Sequence, residues 1–138
     1  MDRIVNILIA EDNPSDVVLF REALESTGWK CILHVARDGM EVLDFLGRRN
    51  GHPNAPSPDL ILLDHNLPKK TGLEVLIEIR RNPALSNIPL IVFSGSEWER
   101  NMVLAFGLPE ECYIVKPQTY SGYIEVAKTI EGFWRRKK

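Results

Sequence analysis

Four short stretches of this chain carry the residues best suited to chemistry, and each follows an apolar run. Glu11-Asp12 comes directly after Ile7-Leu8-Ile9-Ala10, and Asp64 after Leu60-Ile61-Leu62-Leu63. Ser94-Gly95 follows Leu90-Ile91-Val92-Phe93, and Lys116-Pro117 follows Tyr113-Ile114-Val115. Three carboxylates, a hydroxyl and an ammonium are thereby offered at run ends. Two carboxylates about 5 Å apart repel by roughly 3 kcal/mol at an effective dielectric near 20, so three gathered in one place call for a cation. The donors are all hard oxygens, with no Cys or His cluster beside them, which favours Mg²⁺ over Zn²⁺. With Mg²⁺ and Lys116 present the local charge approaches zero, and such a place can hold a phosphoryl group. Phosphoryl transfer needs mainly positioning and charge neutralisation, with Asp64 as nucleophile and the metal as clamp. Taken singly, each residue has a simpler reading. Asp64 could be a helix cap, Glu11-Asp12 could favour a helix N-terminus, Ser94 could be a cap and Lys116 a surface lysine. Caps do not explain all of them standing in this order, each at the end of its own run.

The elements that must position these groups follow from hydrophobic periodicity. Strand-length apolar runs recur at 4–10, 31–36, 60–63, 89–93 and 112–115. The first, third and fourth are nearly continuous, the pattern of strands covered on both faces. Helix-like segments separate them. Asn13-Pro14 offers a cap with proline at the first helical position, and Val17, Phe20 and Leu24 then share a face. Asp38 opens a second helix. Thr71-Gly72-Leu73-Glu74 reads as a capping box, and Ser96-Glu97-Trp98-Glu99 as another. A last helix places Tyr123, Val126, Ala127, Ile130, Phe133 and Trp134 at helical spacing, a stripe that reads as core. Five strand–helix alternations predict crossover units and a parallel sheet, whose functional groups gather at the carboxyl ends of the strands. The Pro-, Gly- and Asn-rich segment 48–58 reads as a long loop, a tolerated surface insertion before a binding loop.

With 138 residues the chain fits one domain, expected to span 1–138 with no output domain, and 44% hydrophobic residues suffice for a sizeable core. A net charge of −2 carries no nucleic-acid or membrane signature. Arg135-Arg136-Lys137-Lys138 is a local exception, read as cations complementing a helix C-terminus, with docking or DNA contact as the alternative. No apolar stretch approaches the ~20 residues needed to cross a bilayer, and no secretory leader is read at Met1-Asp2-Arg3. The expected compartment is the cytoplasm, with Cys31 and Cys112 reduced.

Glu11-Asp12-Asn13, Asp64 with Pro68 and Gly72, Ser94-Gly95 and Lys116-Pro117 together resemble the signature of response-regulator receiver domains, the chemotaxis-receiver-like (CheY-like) fold of two-component signalling. The resemblance covers essentially the whole chain. The long loop before the third strand and the Asn66-Leu67-Pro68-Lys69-Lys70 stretch are similar to stand-alone receivers associated with bacterial phytochromes. The resemblance implies an α/β, flavodoxin-like fold, a doubly wound five-stranded parallel sheet in the order 2-1-3-4-5. It implies that Asp64 accepts a phosphoryl group from a partner sensor histidine kinase, a phytochrome among the candidates. Asp12, Asp64 and the backbone carbonyl of Asn66 would bind Mg²⁺, with Glu11 acting through a water. Ser94 would hydrogen-bond the phosphoryl group, Lys116 would pair with it, and Tyr113 would be the aromatic switch that turns inward. Lys116-Pro117 would carry a cis peptide, and Gly95 would stay small for the phosphate.

A homodimer through the face of the fourth helix, fifth strand and fifth helix is a further expectation. Tyr113 lies on or near that face, and Trp98 lies there or in the core. Asn66 and Ser96 occupy positions that set dephosphorylation rate in the family. Ser94 replaces a commoner threonine, His65 an apolar residue, and Thr71 an Asp or Asn; His65 reads as a neighbour without chemistry ahead of a proton shuttle. In the implied strand order, Cys31 and Cys112 lie about 19 Å apart, beyond the ~7 Å that a disulfide spans. The protein is then a signalling receiver and no enzyme in the ordinary sense. A haloacid-dehalogenase-type phosphatase would want a carboxylate at position 66. A flavodoxin-like cofactor binder would not place Glu11-Asp12 in its phosphate loop. A degenerate scaffold receiver would not retain the full acidic and lysine set.

Overall fold

The computed structural model describes residues 3–95 and 97–137, with the side chains of 97–99 and 111 outside the description. The expectations placed on Ser96 and on the Trp98 side chain therefore lie outside the described residues. The elements alternate as β1 (Val5–Ala10), α1 (Pro14–Ser26), β2 (Cys31–Ala36), α2 (Gly39–Gly47), β3 (Leu60–Asp64), α3 (Gly72–Arg81), β4 (Leu90–Ser94), α4 (Glu97–Ala105), a short 3₁₀ turn, β5 (Tyr113–Val115) and α5 (Tyr120–Lys137). All strand pairs are parallel and the order is β2-β1-β3-β4-β5, as the resemblance implied.

Burial follows position in the sheet. Every residue of the central strands β3 and β4 is buried, because helices cover both faces. The edge strands are less protected: Ile32 of β2 and Val115 of β5 are exposed. α1 packs against α5, and α2 against α3. The aromatic stripe of α5 is core as expected, with Tyr123, Ala127, Ile130, Phe133 and Trp134 buried. Arg135, Arg136 and Lys137 occupy the last turn of α5, where cations complement the helix dipole. Among the described residues no helix is long and apolar enough to cross a membrane.

Local chemistry sets the helix starts. The Asn13 side chain accepts from the backbone N–H groups of Ser15 and Asp16, with Pro14 at the first helical position. The Asp38 carboxylate accepts from the Glu41 N–H. Thr71 and Glu74 form the full capping box. The 48–58 segment is a loop, but a tethered one. Arg48 caps α2 in the left-handed region and its Nε donates to the Ala55 carbonyl, while the His52 ring packs tilted against Phe45 and approaches Glu41 at 3.3 Å. Cys31 on β2 and Cys112 beside β5 lie at opposite sides of the sheet and share no disulfide.

Candidate functional site

Register brings the predicted residues level. Ala10 of β1 pairs with Leu63 of β3, so Glu11 and Asp64 are the next residues on neighbouring strands. Asp64 pairs with Phe93, which sets Ser94 one step beyond. Ser94 pairs with Val115, and Lys116 follows. The chain beyond each strand stays tied to its neighbour: the N–H of Glu11 donates to the Ala36 carbonyl, that of His65 to Phe93, and that of Lys116 to Ser94. Strands separated by about 4.8 Å then bring side chains at these tips within reach of one another.

Lys116 is the hub. Its Nζ lies 2.7 Å from Glu11 Oε1, 2.9 Å from Asp16 Oδ2 and 3.0 Å from Asp64 Oδ2. An ammonium has three N–H donors, and here each meets a different carboxylate. The other Asp64 oxygen, Oδ1, accepts from the Asn66 N–H at 3.0 Å. Glu11 Oε2 accepts from the Asn13 N–H at 3.2 Å. Glu11, Asp64 and Ser94 are buried, whereas Asp12 faces solvent.

The electrostatics record an excess of negative charge. The Glu11 carboxyl is pushed up to about 7, most by burial and further by the Asp64 charge, although the hydrogen bond from Lys116 pulls the other way. Burial alone would lower Lys116. Its bonds to Glu11, Asp16 and Asp64 outweigh burial and hold it above the usual lysine range. One oxygen from each of Glu11, Asp12 and Asp64 lies within 4.8 Å of the others. This all-oxygen set, open to solvent at Asp12, fits a hard divalent cation that keeps part of its water shell.

Two glycines hold the loop behind Asp64 in place. A Cβ on Gly72 would lie 2.6 Å from the Asp64 carbonyl oxygen and 2.7 Å from His65 Cα. A Cβ on Gly39 would lie 2.4 Å from the Lys70 carbonyl oxygen. The N–H of Gly72 donates to the His65 carbonyl, and that of Gly39 to Pro68. Helices α2 and α3 thus begin in direct contact with the 64–70 segment. A Cβ on Gly95 would meet nothing within 4 Å, so space stands open beside Ser94.

The structure brings together Glu11, Asp12, Asp64 and Lys116 and sets Ser94 and Asn66 beside them. One expectation needs correction, and one site residue is added. No peptide among the described residues is cis, so Lys116–Pro117 is trans, the isomer X–Pro bonds intrinsically favour by about 0.5–1 kcal/mol. Tyr113 is buried, its ring joining the core, while Val115, at 64% exposure, presents the outer surface of β5. Asp16 is a site residue that sequence reasoning missed. Its place in the first turn of α1 reads as a helix-dipole partner, and only the fold shows that the start of α1 lies over the Lys116 ammonium. His65 is buried, with its Nδ1 lacking a hydrogen-bond partner.

Comparison with known proteins agrees with this geometry. The family model for the response regulator receiver domain matches residues 7–127. Response regulator Rcp1 of Synechocystis sp. is 38% identical over 128 residues, covering 93% of this chain and 87% of the relative. A crystal structure of Rcp1 in its Mn²⁺-bound form has a TM-score of 0.82 and covers 94% of both chains. The phosphorylated cyanobacterial phytochrome response regulator RcpA has a TM-score of 0.86 at 40% identity, covering 99% of this chain and 97% of its own. The bacteriophytochrome response regulator AtBRR has a TM-score of 0.79 at 34% identity, covering 96% of each. The parallel sheet with its acidic rim, the matched model and these relatives agree: the chain belongs to the response regulator receiver domain family, the receivers of two-component signalling.

Proposed function

We propose that Asp64 accepts a phosphoryl group from the phosphohistidine of a sensor histidine kinase, in a Mg²⁺-dependent reaction, and that the change is read at the surface formed by α4, β5 and α5. The observation that carries this reading is the buried Asp64 carboxylate, 4% exposed, bonded by Lys116 and bordered by Glu11 and Asp12. A carboxylate oxygen of Asp64 attacks phosphorus as the N–P bond of the donor breaks, and the departing imidazole nitrogen takes a proton. Lys116 neutralises charge on the phosphoryl oxygens, and Ser94 donates its hydroxyl to one of them. Glu11, Asp12 and Asp64, with the Asn66 backbone carbonyl, would hold Mg²⁺, which supplies charge neutralisation at the transferred group.

Tyr113, buried and paired with Val92 two residues before Ser94, is the residue whose position would follow Ser94. Exposed Val115 on β5, Phe106 after α4 and Tyr120 at the start of α5 suit a surface that docks partners or a second copy of the chain. The description of RcpA as a phytochrome response regulator makes a phytochrome kinase the first donor to try. The chain covers 87% of Rcp1 and 97% of RcpA, which supports reading it as a receiver domain like theirs. Incubation with acetyl phosphate and Mg²⁺ should label the wild type, give no label without Mg²⁺, and give none in Asp64→Asn. Label surviving that substitution would remove Asp64 from the mechanism.

A further inference from the structure

Of the three carboxylates that meet Lys116, two belong to the acidic cluster suited to a cation: Glu11 and Asp64. Asp16 stands outside that cluster. It comes from α1 instead of a strand tip, and its Oδ2 is 2.9 Å from Lys116 Nζ. When a divalent ion and a phosphoryl group engage Glu11 and Asp64, those two bonds to the ammonium are put in competition. The bond to Asp16 is not.

The surroundings keep Asp16 in that role. Glu11, Asp16, Phe20, Phe93, Lys116 and Tyr123 line a cleft of about 10 Å³, which admits nothing larger than a water. Phe20, one helical turn after Asp16, packs edge-on against both Phe93 and Tyr123, which fixes α1 against the sheet and α5. The Tyr123 hydroxyl is buried on the same side of the site as the Asp16 carboxylate. Its ionisation is pushed up to about 12, first by burial and then by the nearby Asp16 charge. Lys116 is therefore met on the α1 side by a half-buried carboxylate on a helix that an aromatic cluster docks against the sheet.

We propose that Asp16 is a positioning residue: it anchors the Lys116 ammonium from α1, so that Lys116 stays aimed at Asp64 when the metal and the phosphoryl group take over its other two partners. This rests on the phosphoacceptor role of Asp64 proposed above. Asp16 also sits in the first turn of a helix, where a carboxylate has a purely structural value, so the test is a double-mutant cycle with Lys116.

In metal-free protein, Asp16→Ala should lower Tm by about 3–5 °C, and the same change made in Lys116→Ala should lower it little or not at all. With Mg²⁺ and acetyl phosphate, Asp16→Ala should slow phosphorylation roughly tenfold, the loss of one charge-assisted hydrogen bond. Asp16→Asn, which keeps the shape and an acceptor oxygen, should recover part of the rate. In the Lys116→Ala background Asp16→Ala should bring no further slowing. Phosphorylation of Asp16→Ala at the wild-type rate would overturn the proposal, as would equal slowing in both backgrounds. A wild type that is not labelled at all, or an Asp64→Asn that is, would instead overturn the phosphoacceptor reading itself.

Discussion

Gly72→Ala and Gly132→Ala are the same change in two helices, and the structure gives them opposite signs. At Gly132, in α5, the new Cβ meets at closest the Arg136 guanidinium at 3.5 Å, the far end of a flexible side chain. There alanine removes the entropic cost of glycine in a helix, a gain of about 0.5–1 kcal/mol. At Gly72, the first residue of α3, the Cβ lies 2.6 Å from the Asp64 carbonyl oxygen, about 0.8 Å inside the 3.4 Å at which ordinary contact begins. The obstacle is backbone on both sides, so no rotamer relieves it. Overpacking of this kind costs about 1–3 kcal/mol, and the propensity gain at a first helical position is smaller. The net loss is roughly 1–2 kcal/mol, a fall in Tm of about 3–6 °C. Thermal and urea unfolding should show Gly132→Ala above wild type and Gly72→Ala below it. Because the clash is with the backbone of Asp64 and His65, Gly72→Ala should also slow labelling by acetyl phosphate, while Gly132→Ala should not. A Gly72→Ala variant as stable as wild type and as readily labelled would refute the close approach of α3 to the Asp64 loop.

The Glu11 carboxyl, at about 7 in the folded chain against 4.5 ordinarily, takes up protons on folding between those values. A raised carboxyl penalises the fold above its folded value, and that penalty fades as pH falls toward 4.5, with a slope of at most about 1.4 kcal/mol per pH unit. Metal-free protein should therefore gain urea resistance from pH 8 to pH 6, whereas divalent-ion affinity should weaken over the same range; a urea midpoint that falls on acidification would contradict this. The Cys31 thiol, pushed up to about 11 by burial first and by Glu131 and Glu25 next, should alkylate far more slowly at pH 8 than a free thiol. Non-reducing mass analysis after mild oxidation should find no Cys31–Cys112 link.

Much of the site was legible because it repeats at the ends of apolar runs. A carboxylate directly after Leu60 to Leu63 has no apolar packing role, so the run announces both a central strand and its tip. The helix starts were legible for a similar reason: Asn13, Asp38 and Thr71 act on N–H groups two or three residues away. Asp16 was not legible, since a carboxylate in a first helical turn satisfies the helix dipole and gives no sign of a lysine a hundred residues later. Whether Tyr113 would lie on the outer face or turn inward was not legible, because an aromatic on a short edge strand reads the same whichever face it takes; in the structure it is buried. The isomer of Lys116–Pro117 was equally hidden, since X–Pro bonds differ by only about 0.5–1 kcal/mol between isomers.

Local physics thus set the alternation of strands and helices, the caps, and which residues stand at strand ends, because hydrophobic period and capping act within a few residues. Tertiary structure alone decided that Lys116 serves three carboxylates from two strands and a helix, and that Gly39 and Gly72 must lack a Cβ. Those facts depend on distances between segments remote in the chain, set by parallel register and helix docking, and no local pattern encodes them.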